Sequence, residues 1–199
     1  MTSNIIIVGV GGQGALLASR ILGNLALRLG RDVKVSEVHG MAQRGGSVIT
    51  HVRIADAGGR ISAPLVSEGE AGVILAFEPL EALRSLPYLA ASGGLVITNT
   101  RPIPPMTVLT GAAEYPSDII VKLKAHGCEV RAFDAQALAD GHDAPRAVNL
   151  ALLGALAALY SKEHYPINVW ESAIQDSVPS KSLETNLAVF RDAYDFVKR

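Results

Sequence analysis

Asn4-Ile5-Ile6-Ile7-Val8-Gly9-Val10-Gly11-Gly12-Gln13-Gly14 is the stretch that decides the fold. A continuous β-branched run that stops abruptly at glycine is the pattern of a strand buried on both faces of a parallel sheet. From Ala15 to Leu29 the period changes to a helical one. Its apolar positions include Leu17, Ile21, Leu22, Leu25 and Leu29, and Gly30 supplies the stop. Val33 to Val38 then reads as a second strand. Strand, glycine turn, helix, strand is a βαβ unit, for which one hand and a parallel pairing are expected.

Working outward, Gly40 to Gly46 is a loop and Ser47 to Ile54 a strand. Ala57-Gly58-Gly59-Arg60 reads as a turn, with a hairpin partner expected at Ile61 to Leu65. Gly72 to Phe77 and Gly94 to Thr98 are short buried strands. Between them a helix is expected from Pro79 to Ala91, opened by a proline that suits a first turn. Arg101-Pro102-Ile103-Pro104-Pro105 fits neither helix nor central strand and makes an extended rim. Asp118 to His126 is a helix ended by Gly127, and Glu129 to Phe133 a further strand. Ala147 to Tyr160 is apolar nearly all round, so it is expected between layers or at a subunit contact. Two helices close the chain, one at Val169 to Ser177 and one from about Leu183, carrying Leu187, Phe190, Tyr194 and Val197. The expectation is an α/β fold: a three-layer domain with a mostly parallel, Rossmann-like sheet and a helical C-terminal extension. Residues 1–199 form one unit, with 1–165 as core and 166–199 as the C-terminal helices.

Composition narrows the function. Lys plus Arg total 18 against 19 Asp plus Glu, so no basic field exists to hold a polyphosphate backbone, which argues against a dedicated nucleic-acid binder. Apolar residues make up 49% of 199, ample for a core and enough to leave surface for another chain to cover. Cys128 is the single cysteine, which excludes an internal disulfide, a cysteine-ligated cluster and a four-cysteine zinc site within one copy. No basic region precedes Ile5 to Val8, so that run is not read as a signal peptide. Ala151 to Tyr160 falls short of the roughly 20 residues a membrane helix needs. A cytoplasmic protein without nucleic-acid or membrane partners is expected.

Gly9, Gly11 and Gly14 fit G-x-G-x-x-G between strand and helix. Such a turn lets backbone approach a ligand closely, and the helix N-terminus behind it suits a phosphate. Glu37, 23 residues past Gly14, is a candidate for a ribose hydroxyl. The alternative is a tight turn and nothing more. Gln13 either caps the helix or reaches a partner or ligand. The second constellation is Gly40-Met41-Ala42-Gln43-Arg44-Gly45-Gly46-Ser47. Arg44 offers a planar fork of donors for a carboxylate or phosphate, and the flanking glycines allow backbone N–H groups to form an anion-binding concavity. A solvated surface arginine is the competing reading.

The two glycine segments together, GVGGQG at 9–14 and HGMAQRGGSV at 39–48, resemble the gamma domain of the pyruvate/2-oxoacid:ferredoxin oxidoreductases, and within that family the indolepyruvate type. Val178-Pro179-Ser180-Lys181 through Asn186-Leu187-Ala188-Val189-Phe190 is similar to the family's ending, so the resemblance spans the chain. It implies a non-autonomous enzyme subunit. In the family a 2-oxoacid, here indolepyruvate or another aryl pyruvate, reacts with CoA and oxidised ferredoxin to give an acyl-CoA, CO2 and reduced ferredoxin. Thiamine diphosphate, Mg2+ and the iron–sulfur clusters are expected on a larger partner subunit, with ferredoxin reached through the complex and CoA as co-substrate. The single cysteine and the lack of a thiamine-type Gly-Asp-Gly motif agree with that division. Carried over, Gly9, Gly11, Gly12, Gln13 and Gly14 form one loop facing ligand or partner, and Met41, Gln43, Arg44, Gly45, Gly46 and Ser47 another. No residue is assigned a catalytic role and no metal site is expected. A gamma subunit for pyruvate or 2-oxoglutarate, or a free-standing nucleotide-binding protein, remain alternatives, as does a homodimer in isolation.

Other residues have plainer readings. His126-Gly127-Cys128 fits a helix end leading into a strand, with Cys128 structural rather than nucleophilic. His39 and His51 lie on neighbouring strands, where they could approach each other, but the five histidines show no metal spacing. Trp170, Phe190 and Tyr194 suit core or subunit packing. Ser180 or Ser182 is expected to cap the last helix.

Overall fold

The computed structural model describes residues 2–11, 13–39, 46–91, 93–160 and 165–199. β1 (Thr2–Val10), β4 (Val73–Ala76), β5 (Leu95–Asn99) and β6 (Glu129–Phe133) run parallel, each hydrogen-bonded to the next. β3 (Ser47–Ala55) lies antiparallel on the other side of β1, and β2 (Val33–His39) antiparallel outside β3. The sheet order is β2-β3-β1-β4-β5-β6.

Ile5 to Val8 are buried on both faces, and their alternation divides the core in two. Ile5 and Ile7 face a layer of α1 (Ala15–Arg28), α5 (Ala135–Asp140), α6 (Val148–Tyr160), α7 (Ile167–Gln175) and α8 (Ser180–Lys198). Ile6 and Val8 face α2 (Pro79–Arg84) and α4 (Ile119–Ala125). Helices on both faces of a mostly parallel sheet make the three-layer α/β architecture. Of the described residues of α6, those from Leu150 to Ala158 that carry side chains are buried. At Gly154 an added Cβ would stand 2.2 Å from the Phe190 carbonyl, so glycine is what lets the backbones of α6 and α8 approach. Trp170 and Phe190 pack with ring centroids 6.0 Å apart. The C-terminal helices pack into one of the two helical layers.

Four expectations are corrected. β2 does not pair with β1, because the antiparallel β3 takes that place; β2 keeps the direction of β1 but bonds only to β3. Ile61 to Leu65 is not a hairpin strand. The turn forms, with Gly59 N–H donating to the Asp56 carbonyl, but Asp32 then accepts the Ile61 N–H, and Arg53 donates to the Ala63 and Leu65 carbonyls. With those groups engaged, and Pro64 unable to donate, no ladder can form. The helix expected at 79–91 is α2 followed by a separate 3-10 turn, Leu86–Tyr88, since Pro87 cannot continue the hydrogen bonding. Neither Ser180 nor Ser182 caps α8: Pro179 holds the cap position, and the Ser182 hydroxyl donates to its carbonyl.

His39 pairs with Val48 and His51 with Ser36, three rows apart on the ladder, so the two histidines do not meet there. The His51 ring is buried, accepts the Val66 N–H at Nδ1 and packs edge-on to Tyr88; burial depresses its pKa. Cys128 is half-buried with its thiol bonded to the Leu123 carbonyl, and burial raises its pKa, which suits an inert thiol.

Candidate functional site

In open α/β sheets ligands bind outside the carboxyl ends of the strands where the chain switches direction across the sheet. That switch point lies between β1 and β4. From β1 the chain leaves through α1 on one face, and from β4 through α2 on the other.

The glycine turn is held by Gln13. Its Oε1 accepts the Val10 N–H at 2.6 Å, and its Nε2 donates to the Phe77 carbonyl at 3.3 Å, tying the end of β1 to the end of β4. Gly9 makes room for this clamp: a Cβ there would lie 2.8 Å from Gln13 Oε1 and 3.0 Å from Phe77 Cβ. Gly14 is the N-cap of α1 in left-handed backbone, φ +91°, with no side-chain cap. Of the two uses expected for Gln13, the cap on α1 does not form, because its amide is engaged by both strands. Gly11 N–H donates to the Gly46 carbonyl, and the Ser47 hydroxyl donates to Glu81 at 2.5 Å, which also pairs with Arg84 at 2.7 Å. Gly9, Gly11, Gln13, Gly14, Gly46 and Ser47 are accordingly gathered at one sheet edge. Gly12, Met41, Gln43, Arg44 and Gly45 lie outside the described residues.

Glu37 stands apart from the main cleft. It pairs across β3 with Thr50, which itself pairs with Ile7, so Glu37 sits level with the middle of β1. Two strand spacings, roughly 10 Å, separate it from that strand. The Thr50 hydroxyl reaches its carboxylate at 3.5 Å, and Glu37 lines a small hollow with Val10, Gln13, Gly14 and Val48.

The main cleft, about 760 Å³, opens beyond Gln13 and Gly14 and is walled by Phe77, Asn99, Arg101, Ile103, Arg146 and Asn149. Asn99 Nδ2 donates to the Phe77 carbonyl at 3.4 Å, and its Oδ1 accepts the Ala135 N–H at 3.1 Å, joining β4, β5 and α5. Arg101 is held by Asp134 at 3.2 Å. Asn149 is buried against Gly14, its Oδ1 accepting the Leu150 N–H, while its Nδ2 has no acceptor among the described residues. A second hollow of about 530 Å³ shares Leu17, Pro145, Arg146 and Asn149 with the cleft and continues to Lys181, Ser182 and Thr185 at the start of α8. Neither Arg146 nor Lys181 is paired with an acid among the described residues. The N-termini of α1 and α8, which have no acidic residue in their first turns, adjoin these two cations. Asp140 also lines the cleft, where it pairs with Arg101, and Asp143 the second hollow, so Arg146, Lys181 and the two helix N-termini are the groups here that can attract an anionic ligand.

The cleft's outer wall rests on Glu78, the N-cap of α2. Its carboxylate accepts the Glu81 N–H at 3.0 Å, the Ile103 N–H at 3.2 Å and the Tyr115 hydroxyl. Burial first, and then the bond to Glu78, push the Tyr115 phenol well above its usual pKa, so it remains a donor.

Asn99, Arg146, Asn149, Glu78 and Tyr115 were not singled out from the sequence. For Asn99 a signal existed, since it closes a short parallel strand, where ligand-facing residues concentrate.

A family model described as pyruvate ferredoxin/flavodoxin oxidoreductase matches residues 4–196. The chain belongs to this family. It is a subunit of a 2-oxoacid:ferredoxin oxidoreductase. The indolepyruvate oxidoreductase subunit IorB of Pyrococcus horikoshii is 46% identical over 195 residues, covering 94% of this chain and 92% of that one. The fold matches the pyruvate oxidoreductase subunit PORC of Thermotoga maritima with TM-score 0.73 at 20% identity, over 98% and 96% of the two chains. It also matches, with TM-score 0.73 at 17% identity, part of the 2-oxoglutarate:ferredoxin oxidoreductase of Magnetococcus marinus, solved with 2-oxoglutarate, coenzyme A and succinyl-CoA bound. That match covers 99% of this chain and 31% of the other, much longer one.

One thiol cannot hold an iron–sulfur cluster, and among the described residues no group of three His, Cys, Asp or Glu side chains converges. Among the described residues, no helix is long and apolar enough to cross a membrane.

Proposed function

We propose that this chain is the smaller subunit of a cytoplasmic indolepyruvate:ferredoxin oxidoreductase. With a larger subunit it converts aryl pyruvates, CoA and oxidised ferredoxin to arylacetyl-CoA, CO2 and reduced ferredoxin. The observation that carries this reading is the 46% identity to an indolepyruvate oxidoreductase subunit over more than nine-tenths of both chains. The larger subunit carries thiamine diphosphate, Mg2+ and the iron–sulfur clusters, which supply decarboxylation and electron transfer. This chain's residues bind and orient. The groove from Gly14 past Asn149 and Arg146 to Lys181 receives the phosphates of CoA: Arg146 and Lys181 supply charge, the free ends of α1 and α8 supply N–H donors, and Asn149 supplies its Nδ2. Gln13 and Asn99 keep the ends of β1, β4 and β5 in register beneath it. Residues 1–199 act as one domain in this role, and Arg44, with Gln43, orients an anionic group or the partner's active-site wall.

The test uses the assembled two-subunit enzyme. A charge-assisted hydrogen bond contributes about 1.5–3 kcal/mol, and an exposed one sits at the low end, so Arg146→Ala should raise KM for CoA about tenfold. KM for the 2-oxoacid should stay within about twofold. Arg44→Ala should lower turnover with assembly retained. Wild-type CoA kinetics in Arg146→Ala would remove the groove from the reading, and wild-type turnover in Arg44→Ala would remove that loop.

A further inference from the structure

Between Pro102 and Ser117 the chain leaves the sheet edge after β5 and returns to enter α4. This excursion carries four prolines and one short helix, α3 (Met106–Leu109), whose Met106 and Leu109 are 63% and 66% exposed. Its backbone hydrogen bonds among the described residues close on themselves, from Val108, Leu109, Thr110, Gly111 and Ala113 to carbonyls within the excursion. Two hydrogen bonds that leave it for the body of the protein, from the Ile103 N–H near its start and the Tyr115 hydroxyl near its end, both terminate on Glu78 Oε1, and the Leu80 backbone also meets the Tyr115 hydroxyl. Glu78 is 1% exposed, and its other oxygen is spent on the first turn of α2. One buried carboxylate therefore takes a hydrogen bond from each end of the segment, beside the packing of the Tyr115 ring against the core, and the near end, Pro102 and Ile103, is a wall of the main cleft.

We infer that Glu78 and Tyr115 are positioning residues for the co-substrate: they latch the 102–117 arm so that Pro102 and Ile103 form the outer wall of the CoA groove. This rests on the groove reading above. A carboxylate suits the task because it accepts from several donors at once, whereas a neutral acceptor would serve fewer. The arm's prolines hold the stretch extended, so the two attachment points set its course.

Tyr115→Phe is the informative variant, because it removes only the hydroxyl and keeps the ring. Glu78→Gln is the second, retaining an acceptor for the cap of α2. In the assembled enzyme, hydrogen exchange at the Ile103 amide and through 102–117 should accelerate at least tenfold in Tyr115→Phe, with the amides of β1 and β4 unchanged. KM for CoA should rise three- to tenfold, with KM for the 2-oxoacid constant. The double variant should be no worse than the poorer single one, since both break the same latch. Unaltered exchange in Tyr115→Phe would overturn the latch. Faster exchange with wild-type CoA kinetics, in an enzyme where Arg146→Ala does raise KM for CoA, would show a purely structural tie and overturn the positioning role alone. If Arg146→Ala also left KM for CoA unchanged, the groove reading would fail and take the positioning role with it.

Discussion

Gly9→Ala should weaken the protein through Gln13 rather than through its own backbone. Gly9 is not in left-handed conformation, so alanine is tolerated there by the chain itself. The added Cβ would stand 2.8 Å from Gln13 Oε1 and 3.0 Å from Phe77 Cβ. The amide is the flexible partner, and moving it aside strands the Val10 N–H, which it now accepts at 2.6 Å. An unsatisfied, part-buried donor costs about 1–3 kcal/mol, and the residual crowding against Phe77 about 1 more. Gly9→Ala should therefore cost about 3 kcal/mol, and Gln13→Ala, which loses the same bond and the one to Phe77, about 2. The two share one hydrogen bond, so the double variant should cost about 3–4 kcal/mol rather than 5. Thermal unfolding resolves this: at roughly 2–4 °C per kcal/mol for a chain of this size, the shortfall is several degrees in Tm. Strictly additive losses would refute the clamp, and with it the reason given for the first glycine of the motif.

Gly154→Ala should destabilise by about 3 kcal/mol or more, because the new Cβ meets the Phe190 backbone at 2.2 Å and α8 must move away from α6; a loss under about 1 kcal/mol in urea unfolding would contradict the close packing. His51 is buried neutral with a depressed pKa, so the unfolded chain binds more protons below its unfolded value near 6.5. Stability should therefore fall as pH drops through that window, and His51→Gln should flatten the urea midpoint between pH 7 and pH 5.5. A wild-type midpoint that rises on acidification would have the wrong sign. Cys128→Ser should leave turnover of the assembled enzyme unchanged and cost no more than about 1 kcal/mol, since the thiol only meets a carbonyl in α4. Rapid inactivation by a thiol reagent, traced to Cys128, would show that the thiol is not inert.

Local pattern reached most of the strands. Glu129 to Phe133 was read with its observed bounds, and Gly72 to Phe77 and Gly94 to Thr98 within a residue or two, because buried apolar runs bounded by glycine carry their own signal. Pairing did not follow from pattern. Nothing in Val33 to Val38 shows that β3 will separate it from β1, since a strand's neighbour depends on segments far along the chain. The same limit applies to Ile61 to Leu65, where the Arg53 guanidinium takes the Ala63 and Leu65 carbonyls. At the site, the glycines were legible because they mark turns and close approaches. The partners that give them meaning were not: Gln13 bonds to a carbonyl 64 residues away, and Glu78 collects donors 25 and 37 residues downstream. Nothing in the sequence around Arg146 marks it, and only the joining of the two hollows around it gives it a use.

The central claim is that this chain works as one subunit of an aryl-pyruvate enzyme. The most direct test is to isolate the tagged chain from a native cell extract under anaerobic conditions and assay the eluate for CoA-dependent reduction of ferredoxin or a viologen. Indolepyruvate, pyruvate and 2-oxoglutarate would be compared as substrates. The account predicts a brown complex with a larger subunit, most active on indolepyruvate. A chain that repeatedly emerges alone, colourless and inactive would contradict the subunit reading, and a complex that prefers pyruvate or 2-oxoglutarate would contradict the substrate.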